Sequence, residues 1–101
     1  MTQWQAKVLS AVKTIPRGKV TTYQLLAKVL GNANAVRAVG TALKNNPRLI
    51  IVPCHRVIKS NGQIGNYSQG LAKKQQLLQN EGINVIKGKI ANWQSYLYRF
   101  K

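Results

Sequence analysis

Trp4, Val8, Ala11, Val12 and Ile15 recur at helical spacing, and Pro16 then stops the pattern. This predicts an amphipathic first helix that serves as scaffold. Arg17-Gly18-Lys19 reads as a basic turn before Val20. Thr21 with Gln24 three residues on has capping-box form and predicts a short helix through Leu25, Leu26, Val29 and Leu30, closed by Gly31. Gly31-Asn32 supplies a turn and an N-cap for a third helix over 33–45, ahead of Asn46-Pro47.

The two faces of that third helix differ in kind. Val36, Val39, Gly40 and Leu43 lie on one side, and Asn34, Arg37, Ala38, Thr41 and Lys44 on the other. A solvated face usually carries long side chains of mixed charge. Small residues around one Arg let a helix lie against a partner's backbone. Two short helices joined by a glycine-containing turn fit helix-turn-helix geometry, with a plain helical pair as the alternative.

Residues 48–52 form a short aliphatic stretch leading to Pro53 and Cys54. Val57-Ile58, Lys59 to Gln63 and Ile64 predict a small hairpin or wing closed by Asn61-Gly62. Residues 65–70 form a glycine-bracketed loop around Tyr67, of the kind that connects elements or lets a backbone approach a ligand. Leu71 to Asn80 regains helical spacing through Leu71, Gln75 and Leu78, with Gly82 as the C-terminal cap. Tyr96 to Phe100 alternates like a strand and packs the end of the chain on the domain. The expected class is mainly α: one small domain over residues 1–101, with a winged-helix-like helix-turn-helix core and a short β hairpin.

Composition narrows the function. The 101 residues include 16 Lys or Arg against one acid, Glu81, for a formal net charge of +15. Such a surface favours a polyanion, because neutralising phosphates releases condensed counterions. The basic residues are spread along the chain rather than gathered beside an apolar helix, which argues for nucleic acid over a membrane surface. With one Cys and one His, no internal disulfide and no zinc spacing is available. The longest aliphatic run is far too short to span a bilayer, and no basic leader with an apolar core opens the sequence. A reducing, intracellular (cytoplasmic) setting and a monomer are expected.

That one Cys and one His are adjacent, at Cys54 and His55, immediately after Pro53. A thiol becomes a strong nucleophile on deprotonation, and a base within hydrogen-bond reach, or one water away, raises its thiolate fraction. The bland alternative is a small buried hydrophobe beside a satisfied histidine. On an extended strand the two side chains would point to opposite faces. A tight turn or a helix start just after Pro53 is therefore required for a shared site. Glu81 stands at the carboxyl end of the last predicted helix, where its charge opposes the macrodipole at a cost of a few tenths to about 1 kcal/mol. It is a candidate partner for His55 or for an Arg, the alternative being an incidental surface carboxylate.

The run Ile51 to Val57, with Gly65-Asn66-Tyr67-Ser68, Leu71-Ala72 and Glu81-Gly82 downstream, resembles the active-site domain of the O6-alkylguanine-DNA alkyltransferases. So do Ile15 to Val20, Tyr23-Gln24, Gly31-Asn32, Ala35 to Gly40 and Asn46-Pro47 upstream. The resemblance covers about residues 4 to 83 in order. It implies a single-turnover DNA repair methyltransferase that flips O6-alkylguanine out of double-stranded DNA from the minor groove. Cys54 is then the alkyl acceptor, His55 the base acting through a water, Glu81 the group orienting the imidazole, and Asn46 the brace of the turn carrying Cys54. Tyr23 would crowd a phosphate, and Arg37 would fill the vacated place in the base stack. Asn34, Ala35, Ala38 and Thr41 would face the DNA, and Val57, Tyr67, Ser68 and Leu43 the guanine pocket. No cofactor and no metal are implied. The full-length family usually carries a further N-terminal domain, and the short alkyltransferase-like proteins bind the same lesions without repairing them, with Trp where this chain has Cys54. Three functions are therefore open: alkyl transfer, lesion sensing without transfer, and general DNA coating resting on charge alone.

Overall fold

The computed structural model describes residues 2–47 and 51–100. Helix α1 (Gln3–Lys13) is opened by Thr2, whose hydroxyl accepts from the Gln5 amide, and it buries Val8, Leu9 and Val12. The second helix, α2 (Tyr23–Val29), is capped one residue later than the capping-box spacing predicts. Thr22, not Thr21, accepts from the Leu25 amide at 3.0 Å. Thr21 is instead a strand residue: β1 (Thr21–Thr22) pairs in parallel with β2 (Val57–Ile58), Thr21 opposite Val57. Two-residue strands carry no periodicity, so nothing in the sequence marked this pairing.

Gly31 closes α2 as predicted, at φ +87°, a conformation L side chains rarely adopt. Asn32 does not cap the third helix; its Oδ1 accepts from the Asn34 amide in a local turn. Helix α3 (Val36–Lys44) starts later than expected, with Ala35 at the N-cap and no side-chain cap. It packs on both α1 and α2, burying Val39, Ala42 and Leu43. Val36, predicted to face inward, is exposed, as is Val29 on α2. The helix-turn-helix arrangement of α2 and α3 stands.

Of the aliphatic stretch predicted at 48–52, residues 48–50 lie outside the described residues, Val52 is buried and Ile51 is exposed. A 3-10 turn over Cys54–Arg56 begins immediately after Pro53, the local geometry that the paired Cys and His require. The wing is present as a turn: the Lys59 amide donates to the Gln63 carbonyl and the Gly62 amide to the Lys59 carbonyl. Its outgoing arm does not fold back on β2 as a hairpin would. Gln63 pairs with Lys89, and β2 pairs with β1.

Helix α4 (Leu71–Asn80) has the predicted bounds, and Gly82 (φ +84°) ends it. The predicted buried face is displaced, however. Leu71 is 53% exposed, whereas Lys74 is fully buried beside Leu78. After α4 the chain returns across the sheet: the Val20 amide donates to the Tyr96 carbonyl, the Tyr98 amide to the Val20 carbonyl, and Val20 bridges Leu97 in parallel. The strand predicted for Tyr96 to Phe100 is reduced to this one bridge, because Tyr96 still belongs to a 3-10 turn (Trp93–Tyr96); the packing of the chain end holds, with Tyr98 and Phe100 against the core.

Two apolar clusters result. One joins α1, α2 and α3 to Val52, Cys54 and Val57, with Tyr98 and Phe100 packed against it. The other gathers Val20, Ile58, Ile64, Leu78, Ile83, Val85 and Ile90 under the wing. The 3-10 turn is anchored in the first cluster through Cys54, leads straight into β2, and contacts α1 and α4.

Candidate active site

Cys54 is 5% exposed, and its side chain belongs to the helical core while also bordering a cleft of about 1090 Å³. That volume is ample for a purine base with a substituent. Around the cleft, α2 contributes Tyr23 at its first residue, and α3 contributes Arg37, Gly40, Thr41 and Leu43. The glycine-bracketed loop adds Asn66, Tyr67 and Ser68. The exposed face of α3 and the cleft are therefore continuous, sharing Arg37 and Thr41. Asn34 and Ala38 are exposed beside them, and Ala35 is half-buried at the helix start.

Asn46 Nδ2 donates to the Val52 carbonyl at 2.9 Å, bracing the chain just before Pro53. Burial pushes the Cys54 thiol pKa up, while an Asn46 hydrogen bond and the charge of Lys74 pull it down. In a 3-10 turn successive side chains are rotated by about 120°, not the near 180° of a strand, so His55 is not turned to the opposite face from Cys54. His55 lies beneath, 1% exposed, with its ring edge-on to Tyr67 at 6.4 Å between centroids.

His55 Nε2 and Glu81 Oε2 are 2.7 Å apart. Arg56 grips the same carboxylate twice, Nε to Oε1 at 2.9 Å and Nη2 to Oε2 at 2.8 Å, and sends Nη1 to the Ile15 carbonyl. Burial alone would raise the Glu81 pKa. The hydrogen bonds and charges of His55 and Arg56 outweigh it and hold the pKa at about 2. An ionised carboxylate accepts, so Nε2 carries a proton, and whenever the ring is neutral Nδ1 is the acceptor nitrogen. Nδ1 is buried with no protein partner among the described residues. Glu81 thus sits against the helix dipole because two basic side chains hold it there.

Tyr23 and Tyr67 keep their phenol protons: burial, reinforced by the nearby Cys54 sulfur, pushes both pKa values up to about 12. Tyr67 Oη is buried without a partner among the described residues. Val57, expected in the pocket, is fully buried behind the wall and does not border the cleft; its carbonyl accepts from Lys74 Nζ. Sequence reasoning missed Val36, Gly40, Lys44, Lys59 and Asn66 at the cleft, and missed Lys74 altogether. Asn66 stands within the Gly65-Asn66-Tyr67-Ser68 run, a signal that could have found it. Lys74 carried none, because a lysine on a helix reads as solvent-facing. Among the described residues there is no cluster of three or more His, Cys, Asp or Glu, and no helix long and apolar enough to cross a membrane.

Fold and site together define a small helix-turn-helix domain with a buried thiol at the wall of a cleft that opens onto its second helix. The family model for the 6-O-methylguanine DNA methyltransferase DNA binding domain matches residues 3–83. The human methylated-DNA--protein-cysteine methyltransferase is 52% identical over 76 residues, covering 75% of this chain and 37% of the relative. Its counterpart in Methanosarcina acetivorans is 51% identical over 81 residues, covering 80% and 52%. The chain thus spans about half the length, or less, of these relatives. Among solved structures, Mycobacterium tuberculosis OGT in complex with DNA superposes at a TM-score of 0.79 with 43% identity, covering 81% of this chain and 50% of that one. S. pombe Atl1, in complex with damaged DNA containing O6-carboxymethylguanine, superposes at 0.86 with 35% identity over 98% and 97%. The chain belongs to the 6-O-methylguanine DNA methyltransferase family, in its DNA binding domain.

Proposed function

We propose that this chain binds double-stranded DNA through the minor groove, extrudes O6-alkylguanine and transfers the alkyl group irreversibly to Cys54. The observation that carries this reading is Cys54 at the wall of a purine-sized cleft, with the next residue in its turn, His55, buried and hydrogen-bonded to Glu81. An O6 substituent is inaccessible inside the stack, so the base has to leave it before a sulfur can reach the alkyl carbon. The small outer face of α3, at Ala35, Ala38 and Thr41, suits a groove about 6 Å wide. Arg37 fills the vacated place in the stack, and Tyr23 crowds the phosphate as the nucleotide rotates. Tyr67 and Ser68 meet the guanine in the cleft.

In the transfer step the Cys54 proton passes through a water to His55 Nδ1. Sγ then bonds the alkyl carbon as the carbon–O6 bond breaks. The electron pair of that bond goes to guanine, which takes back one proton. Glu81 keeps Nε2 protonated, so Nδ1 is the nitrogen free to act as base. The products are a thioether and unmodified guanine. Atoms and charge balance without a cofactor, and the sulfur is not regenerated.

Incubation with a duplex containing O6-methylguanine is expected to add one methyl group to the peptide bearing Cys54. An unchanged intact mass with a still-methylated oligonucleotide sinks the reading. A second reading is favoured by the near end-to-end likeness to S. pombe Atl1. There the chain senses the lesion and passes it to another repair pathway, which predicts lesion-selective binding unaltered in Cys54→Ala and no transfer by the wild type.

A further inference from the structure

The transfer step above leaves one buried ionisable group unused. Lys74 is fully buried, yet its Nζ meets the Val57 carbonyl at 2.7 Å, the Asn66 carbonyl at 3.2 Å and the Tyr23 hydroxyl at 3.4 Å. The ammonium also lies 5.6 Å from the centre of the Tyr23 ring. Neutral acceptors satisfy its protons but cannot repay the removal of a full charge from water. The one acidic side chain in the sequence, Glu81, is committed to His55 and Arg56.

Two of the groups that Lys74 Nζ meets, the Tyr23 hydroxyl and the Asn66 carbonyl, border the same cleft as Cys54 and Lys59, and among the described residues Tyr23 from α2, Cys54 from the 3-10 turn and Lys59 from the turn after β2 are the ionisable groups that act on it. Lys59 repels it. The Tyr23 phenol stays neutral, pushed up to about 12. Only the sulfur of Cys54 offers an anion, and it interacts favourably with Lys74 in both directions, raising the amine and lowering the thiol.

We propose that Lys74 is a positioning residue that supplies the counter-charge for the Cys54 thiolate from behind the cleft wall, while His55 only receives the proton. The inference rests on the reading of Cys54 as a nucleophile. Burial pushes Lys74 down to about 7, and the charge of an ionised Cys54 sulfur pulls it back up. Once Sγ becomes a thioether the negative charge has gone, and Lys74 no longer has an anion to pair with.

A positioning charge leaves a signature that packing does not. Lowering a thiol pKa by one unit raises the thiolate fraction tenfold below the midpoint but makes the thiolate itself a weaker nucleophile. With a Brønsted coefficient of about 0.5 the net gain is about threefold, and it reverses above the midpoint. Chloroacetamide modification of Cys54 in the full chain, followed by intact mass across a pH series, reads this without DNA.

Lys74→Gln keeps donors for the Val57 and Asn66 carbonyls but removes the charge, and Lys74→Arg keeps the charge. Lys74→Gln is expected to raise the midpoint by about one unit. It should slow modification about threefold below the midpoint and not slow it above. Lys74→Arg is expected to stay close to wild type. A midpoint unmoved in Lys74→Gln, or a rate lowered equally at every pH, overturns the proposal. Lys74→Met adds the loss of the donors; if it does not fold, Lys74→Gln decides alone. Methyl transfer by the wild type tests the proposed function separately: a shifted midpoint without transfer keeps the counter-charge and removes the transferase.

Discussion

His55 Nε2 lies 2.7 Å from Glu81 Oε2, and the helix that ends at Glu81 supplies the one acid in the chain for that contact. Glu81→Gln removes the charge that fixes the imidazole tautomer while changing little in shape. Single-turnover transfer from O6-methylguanine DNA is expected to slow by about 10- to 100-fold, with lesion affinity near wild type. Transfer at the wild-type rate would mean that Glu81 does not orient His55.

The same carboxylate makes stability depend on acid. Its folded pKa of about 2 lies below the ordinary value of 4.5, so its contribution is fully present above the ordinary value. It is lost as pH falls from about 4.5 toward about 2, and amounts to at most about 3 kcal/mol. Urea unfolding across the acid range should show this slope in the wild type and a flatter one in Glu81→Gln.

Asn46→Ala leaves the buried Val52 carbonyl without its side-chain donor and removes a hydrogen bond that stabilises the thiolate. A loss of about 1 to 3 kcal/mol is expected from denaturant unfolding. Cys54 modification at neutral pH should fall in parallel. Wild-type stability in this variant would show that the brace is not needed.

Gly62 turns the wing at φ +92°, and a Cβ there would stand 2.8 Å from the Ile90 carbonyl and 3.1 Å from the Trp93 ring. Gly62→Ala is expected to cost about 2 kcal/mol or more, through backbone strain and displacement of the returning chain. Calorimetry would register it as a lowered Tm.

Arg37 is exposed at the mouth of the cleft, so Arg37→Ala should change stability by no more than about 0.5 kcal/mol. If Arg37 fills the base stack, competition binding should show a loss of preference for the lesion over undamaged duplex. An unchanged preference would remove that role.

What could be read before the fold was known follows from where the physics is local. The bounds of α4 and the stops at Gly31 and Gly82 are set by spacing and by backbone freedom, both visible in the residues themselves. Adjacent Cys54 and His55 with Pro53 posed a geometric requirement that the 3-10 turn meets. Lys74 and Leu71 show the opposite case. Helical periodicity ranks the leucine as core and the lysine as surface, but a cleft, two carbonyls and a nearby sulfur reverse them. The β1–β2 pairing and the double grip of Arg56 on Glu81 are likewise meetings of distant segments, which no window along the chain contains.

Val20 is bridged to Leu97 while the next residue, Thr21, pairs with Val57, so the segment leading into Tyr23 is flanked on both sides by parallel partners from far along the chain. Such pairings repay their loop-closure entropy only once most of the chain has collapsed, whereas the turn between α2 and α3 closes over a few residues. In folding order the helix pair can settle early, and the ribbon that aims Tyr23 at the cleft is completed late. The expected order is α2 and α3 first and the finished pocket last.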